Sequence, residues 1–122
     1  MKESIAINKS YDFAIRIMKL FQYLNNEKKE FVLSNQILRS GTSIGANIEE
    51  AQGGQSEKDF ISKLTIAYKE TRETHYWLRL MRDTKIIEDK LANSLISDCE
   101  ELLKIIPLSG TILKTMKNKK NS

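Results

Sequence analysis

Residues 57–83 read EKDFISKLTIAYKETRETHYWLRLMRD, with neither glycine nor proline. Phe60, Leu64, Ala67, Thr71, Thr74, Leu78 and Met81 recur in a heptad rhythm over three heptads. That rhythm marks the seam of a left-handed helical bundle, because a 3.5-residue repeat keeps one stripe turned toward its neighbours. Ile61, Tyr68 and His75 lie beside it. Just upstream, Ser56 offers an N-cap, with Asp59 in the capping-box position. Asp59 and Lys63 are spaced to pair at i,i+4.

Working back along the chain, Gly53-Gly54 punctuate a second helix, expected at about 31–52. Ile37, Gly41, Ile44, Ile48 and Ala51 fall on one of its faces. Its middle is rich in small residues, Ser40-Gly41-Thr42-Ser43 and Gly45-Ala46. A glycine inside a helix costs about 1 kcal/mol relative to alanine. Either another helix approaches closely across Gly41 and Gly45, or Gly41 breaks the helix; the apolar period continues in phase through it. Before the polar turn Asn25–Glu30, a first helix is expected at about 5–26. Ile7, Tyr11, Ala14, Met18 and Phe21 form one apolar stripe there, and Phe13, Ile17, Leu20 and Leu24 a second beside it. A face that wide suits a helix with two neighbours.

Beyond a short turn near 84–87, a fourth helix is expected at about 88–117, with Leu91, Leu95, Cys99, Leu102 and Ile106 as its seam. Pro107 lies inside it and predicts a kink, since proline removes one helical hydrogen bond and clashes with the preceding turn. A full break with a short fifth helix is the alternative. The expectation is all-α: an up-down-up-down antiparallel four-helix bundle over 1–117, the last helix kinked near Pro107, followed by a basic tail at 118–122.

Composition agrees. A chain of 122 residues suits one domain, and one proline with five glycines is too few for a turn-rich all-β fold. Cys99 is a lone thiol, so no internal disulfide forms. No stretch approaches the ~18 apolar residues of a membrane span, and no signal-peptide pattern opens the chain. A cytoplasmic protein without a membrane role is expected. The net charge of +4 is concentrated: Lys114, Lys117, Lys119 and Lys120 lie in the last nine residues with no acid, and the remaining 16 bases meet 16 acids.

Catalytic constellations are scarce. His75 is the only histidine, so paired-histidine metal sites are impossible, and Arg72 stands where a di-iron bundle needs glutamate. Cys99 sits on a predicted seam among Asp98, Glu100 and Glu101, acids that oppose thiolate formation. Gly41–Gly45 lacks the lysine of a phosphate loop. Gly53-Gly54-Gln55-Ser56 reads as a helix-start turn, with an anion site as the less favoured reading. No catalytic residue, metal or cofactor is expected, and the chain does not read as an enzyme.

Two features point to nucleic acid. Lys69, Arg72, Tyr76 and Arg79 share one outer face of helix three, a pattern that can hold phosphates and stack a base. Glu70 and Glu73 nearby dilute that field, and a plain solvated stripe is the alternative. The second feature is the lysine tail of Lys114, Lys117, Lys119 and Lys120, whose alternative role is to complement a helix dipole and aid solubility. Trp77 lies off both stripes and is a candidate for a subunit interface. On helix two, Gln36, Ser40, Ser43, Asn47 and Glu50 form a polar stripe: either a binding groove or a hydrogen-bonded contact in which Glu50 or Glu73 pairs with Arg39.

The strings Leu38–Ala51 and Asp59–Glu70, with Glu73 and Tyr76-Trp77-Leu78, resemble the four-helix-bundle proteins named after 23S rRNA intervening sequences, also called the S23 ribosomal protein family. The pattern Arg-Ser-x-x-Ser-Ile-x-x-Asn-Ile-x-Glu falls on Arg39, Ser40, Ser43, Ile44, Asn47, Ile48 and Glu50. Ala51, where many relatives have glycine, and Pro107, in a helix usually uninterrupted, depart from the family. The resemblance implies a left-handed bundle that assembles into a homopentamer, with Arg39, Ser40, Gly41, Ser43, Gly45, Asn47, Glu50, Glu73 and Trp77 as structural or interface residues. It also implies a relationship to the accessory protein of diversity-generating retroelements, thought to bind nucleic acid and a reverse transcriptase. Five copies of the lysine tail would meet at one rim of such a ring. The expected function is a non-enzymatic homo-oligomer that binds RNA or another nucleic acid weakly and without sequence preference. The alternative is a protein–protein scaffold.

Overall fold

The structure, a computed structural model, describes the backbone of residues 2–121 and the side chains of 5–109. Four helices follow one another: α1 (Lys2–Asn26), α2 (Phe31–Gln52), α3 (Glu57–Asp83) and α4 (Asp89–Asn121). Each packs on its chain neighbours, and α1 packs on α4 to close a four-cornered ring. Short turns force consecutive helices to run antiparallel, and this gives the four-helix bundle that the heptad seam of α3 implies.

The turns explain where the helices stop. Lys29 takes a left-handed conformation (φ 54°) between α1 and α2, and the Glu30 carboxylate caps α2 by accepting from the amides of Val32 and Leu33. Ser56 caps α3 as its position suggests, accepting from the Asp59 amide at 3.1 Å. Thr84 ends α3, with its hydroxyl on the Leu80 carbonyl at 2.7 Å, and Lys85 (φ 62°) reverses the chain. Ile87, 2% exposed, plugs the bundle below that turn. Lys63 lies 3.9 Å from Glu50 on α2, so its recorded partner is across the helix pair and not Asp59.

The seam of α3 is buried from Leu64 through Ala67, Thr71, Thr74 and Leu78 to Met81, with Phe60 half-buried at its start. On α2, Ile37, Gly41, Ile44, Ile48 and Ala51 are all buried, and the helix runs unbroken through Gly41. The neighbour that approaches is α1. A Cβ built on Gly41 would lie 2.8 Å from Ile17 Cγ1 and 2.9 Å from its Cγ2, whereas at Gly45 the nearest atoms, of Ser10, are 3.4 Å away.

Two stripes need correction. On α1, Phe13, Ile17, Leu20 and Leu24 supply the core, while Tyr11 is 63% exposed and Met18 45%. α1 meets two neighbours, α2 and α4, as its wide face suits, and the first stripe serves only as the edge of that face: Ile7 packs against the core, and Ala14 and Phe21 are half-buried. On α4, Leu95, Cys99, Leu102 and Ile106 are buried, but Ala92 takes the inward place expected of Leu91. Pro107 lies within α4, which continues as one helix, so no fifth helix forms.

Candidate nucleic-acid interface

A helix has one side for its core and one for solvent, and on α3 the solvent side carries the basic residues. Lys69, Arg72, Tyr76 and Arg79 are all exposed, so the face expected from their spacing is present. Lys69 and Arg79 stand about 15 Å apart along the axis at the usual helical rise. Tyr76, 49% exposed, packs edge-on against Trp77, with centroids 5.2 Å apart and ring planes at 68°. The Arg79 guanidinium stands 5.9 Å from the Tyr76 centroid, at the outer limit of a cation–π contact.

The nearby acids share one cation from the neighbouring helix. Arg39 on α2 pairs with both Glu70, at 3.4 Å, and Glu73. Glu73 also accepts a hydrogen bond from Trp77 Nε1 at 3.2 Å. The two carboxylates are therefore drawn toward α2 and partly neutralised. Lys69, Arg72 and Arg79 make no ion pair among the described residues. Trp77 itself is half-buried and packs against the core of its own chain.

Other residues of the α2 motif divide by role. Ser40 and Thr74, both fully buried, share a hydrogen bond of 2.9 Å across the α2–α3 contact. The Thr74 hydroxyl also stands 2.8 Å from the Glu70 carbonyl, and its single proton serves one of the two contacts. Ser43 donates to the Arg39 carbonyl at 2.5 Å, and Asn47 to the Ser43 carbonyl at 2.8 Å. These two bonds stay within α2. The polar stripe is therefore not one continuous cross-helix network: Arg39 and Ser40 cross to α3, Glu50 reaches Lys63, and Ser43 and Asn47 turn back on their own helix. Gly45 and Ala46 line a shallow groove between α1 and α2 with Ile7, Tyr11 and Ala14.

Cys99 is buried, and that burial, with Asp98 and Glu100 nearby, holds its thiol far above the ordinary value of 9.0. His75 lies 3.4 Å from Glu100 on α4. Among the described residues, no three side chains of metal-ligating type are grouped, and no helix is long and apolar enough to cross a membrane. The side chains of Lys114, Lys117, Lys119 and Lys120 lie outside the described residues.

One cluster had no signal in the sequence. On the α1–α4 seam, Arg16 binds Asp98 at 2.5 Å and Ser94 at 3.0 Å, and Lys9 pairs with Glu101. These partners are about eighty or more positions apart in the chain, so no periodicity joins them.

The comparisons with known proteins agree with this fold. The family described as 23S rRNA-intervening sequence protein matches residues 2–107. A crystal structure of a protein of unknown function from the S23 ribosomal protein family of Bacteroides thetaiotaomicron is 50% identical in sequence. It superposes with a TM-score of 0.89, covering 91% of this chain and 99% of that one. No curated protein matches. With four helices in the right order, the Arg39–Glu50 motif at the α2–α3 contact and a match across nearly the whole bundle, the chain belongs to the 23S rRNA-intervening sequence protein family.

Proposed function

We propose that this protein is a non-enzymatic, homo-oligomeric, cytoplasmic bundle that binds RNA or another nucleic acid weakly and with little sequence preference. The observation that carries the reading is the pairing of Arg39 with Glu70 and Glu73. It turns both acids toward α2 and leaves Lys69, Arg72 and Arg79 as an outward cationic face around Tyr76. Phosphate contacts release counterions, so such binding weakens steeply with salt. Three contacts per protomer predict a log–log salt slope of about −2 on a single strand. A ring of five, the number the family resemblance implies, presents this face and the Lys114–Lys120 segment in several copies, and weak contacts then act together. A filter-binding salt series tests the reading. Absence of binding at low salt rejects it. Unchanged binding after removal of residues 114–122 assigns the contacts to α3 alone.

A second reading, a protein–protein scaffold, is favoured by α1. Tyr11, Ile15 and Met18 are 63%, 43% and 45% exposed on the side away from the core. Large apolar groups gathered outside a core mark contact surfaces. A protein partner retained from native lysate after nuclease treatment, with no nucleic-acid binding by the purified chain, supports this reading over the first. Light scattering of the purified chain measures its assembly independently of either.

A further inference from the structure

We infer that Tyr76 is a stacking platform for one base of a single-stranded nucleic acid, with Lys69, Arg72 and Arg79 holding the phosphates around it. This deepens the nucleic-acid reading above and rests on it.

Tyr76 lies outside the core, among cations. The inward side of α3 is filled by Thr74, Leu78 and Met81, yet the ring of Tyr76 is left 49% exposed on the opposite side. It stands between Arg72 and Arg79 in sequence, with Lys69 two turns behind it. An aromatic face amid cations suits an unpaired base, because every base has a π-face and every linkage a negative charge.

The ring is held in place. Trp77 packs edge-on against it at 5.2 Å, Glu73 accepts from Trp77 Nε1 at 3.2 Å, and Arg39 fixes Glu73. This chain of contacts runs back to α2, so the platform is ordered before any ligand arrives and loses little freedom on binding. Arg79, a loose neighbour at 5.9 Å, can leave the ring to an incoming base and take a phosphate instead.

In a duplex the bases are stacked inside, so a tyrosine on a helix face finds no open base face to stack on. The cations serve both forms, and the ring serves only the unpaired one. The ring therefore adds affinity to single strands that it does not add to duplexes, and that added part must depend on Tyr76.

The test is fluorescence anisotropy of the full chain with a labelled oligouridylate and with a duplex RNA of the same length. Tyr76→Ala and Tyr76→Phe are compared with the native chain, and light scattering checks the assembly state of each. The expected result is a loss of roughly five- to a hundredfold for Tyr76→Ala on the single strand. Its duplex affinity and its salt slope stay unchanged, and Tyr76→Phe retains native binding. Equal losses on both forms, no loss on the single strand, or a Tyr76→Ala chain that changes its assembly state overturns the inference. Those results leave the salt-dependent binding in place. If neither RNA binds the native chain at low salt, the broader reading falls as well.

Discussion

Ile17 of α1 occupies the space where a side chain on Gly41 of α2 would begin. A Cβ at Gly41 would meet Cγ1 and Cγ2 of Ile17 at 2.8 and 2.9 Å, and both atoms are bonded to the β-carbon of a fully buried, branched residue. Such atoms do not swing aside.

Gly41→Ala is therefore expected to destabilise the bundle. Overpacking costs about 1–3 kcal/mol, and alanine recovers up to about 1 kcal/mol of helix propensity. A net loss of up to about 2 kcal/mol in urea unfolding follows from these two magnitudes. Gly45→Ala, with its nearest atoms at 3.4 Å, is expected to be neutral or to gain up to about 1 kcal/mol. Combining Gly41→Ala with Ile17→Ala removes the clash, so the double variant should lose less than the sum of the two. Additive losses would contradict this account.

Ser40 and Thr74 predict an asymmetric pair. Ser40→Ala leaves the Thr74 hydroxyl its bond to the Glu70 carbonyl, and the cost should stay near 1 kcal/mol. Thr74→Val removes the Ser40 hydroxyl's recorded side-chain partner in a fully buried site and should cost about 1–3 kcal/mol. The double variant is expected to be more stable than Thr74→Val alone. Thermal unfolding of all four chains measures the coupling.

Cys99 should resist alkylation by iodoacetamide in the native chain at mildly alkaline pH and react once the chain is unfolded. Its thiol is held protonated, first by burial and then by Asp98 and Glu100. The sign of the pH effect follows. Above the ordinary thiol value of 9.0 the unfolded chain loses a proton that the folded chain keeps. Stability contributed by this group is then full below that value and falls above it, by up to about 1.4 kcal/mol per pH unit. Cys99→Ala should flatten that alkaline decline. Rapid labelling of the folded chain would contradict the buried position.

Arg39→Gln is expected to cost less than about 1 kcal/mol, because the pairs it makes are partly exposed to solvent. Its clearer effect is on Trp77, the only tryptophan, whose indole N–H bonds the carboxylate that Arg39 orients. Glu73→Gln and Arg39→Gln should both shift its emission, while Lys63→Gln, on the other side of the motif, should not. Identical spectra in all three would remove the link from Arg39 to the indole.

Helices whose pattern has one answer were readable from sequence. The seam of α3 and the face of α2 each place a single apolar or small-residue stripe at helical spacing, and both are buried as the spacing requires. Their ends were equally plain, since Ser56 and Gly53-Gly54 act only locally. On α1 two stripes compete, and the periodicity that reveals both cannot rank them. The choice is made by the side of α1 on which α2 and α4 lie, a property of the whole fold. The same limit applies to the candidate interface. Spacing puts Lys69, Arg72, Tyr76 and Arg79 on one face, but the partial neutralisation of Glu70 and Glu73 depends on Arg39, more than thirty positions away. The clasp of Arg16 with Asp98 and Ser94 lies further apart still.

The ring of four helices has one seam unlike the others. Three of its corners are hinged by the short turns of the chain itself, whereas α1 and α4 meet without a covalent hinge. Their rim is fastened by Lys9 to Glu101 and by Arg16 to Asp98, half in water. Ions in solution screen those pairs while leaving the hinged corners covalently tied. The molecule is thus built like a bracelet with a single clasp: where screening weakens ion pairs at every seam, this is the one seam that no turn of the chain also ties.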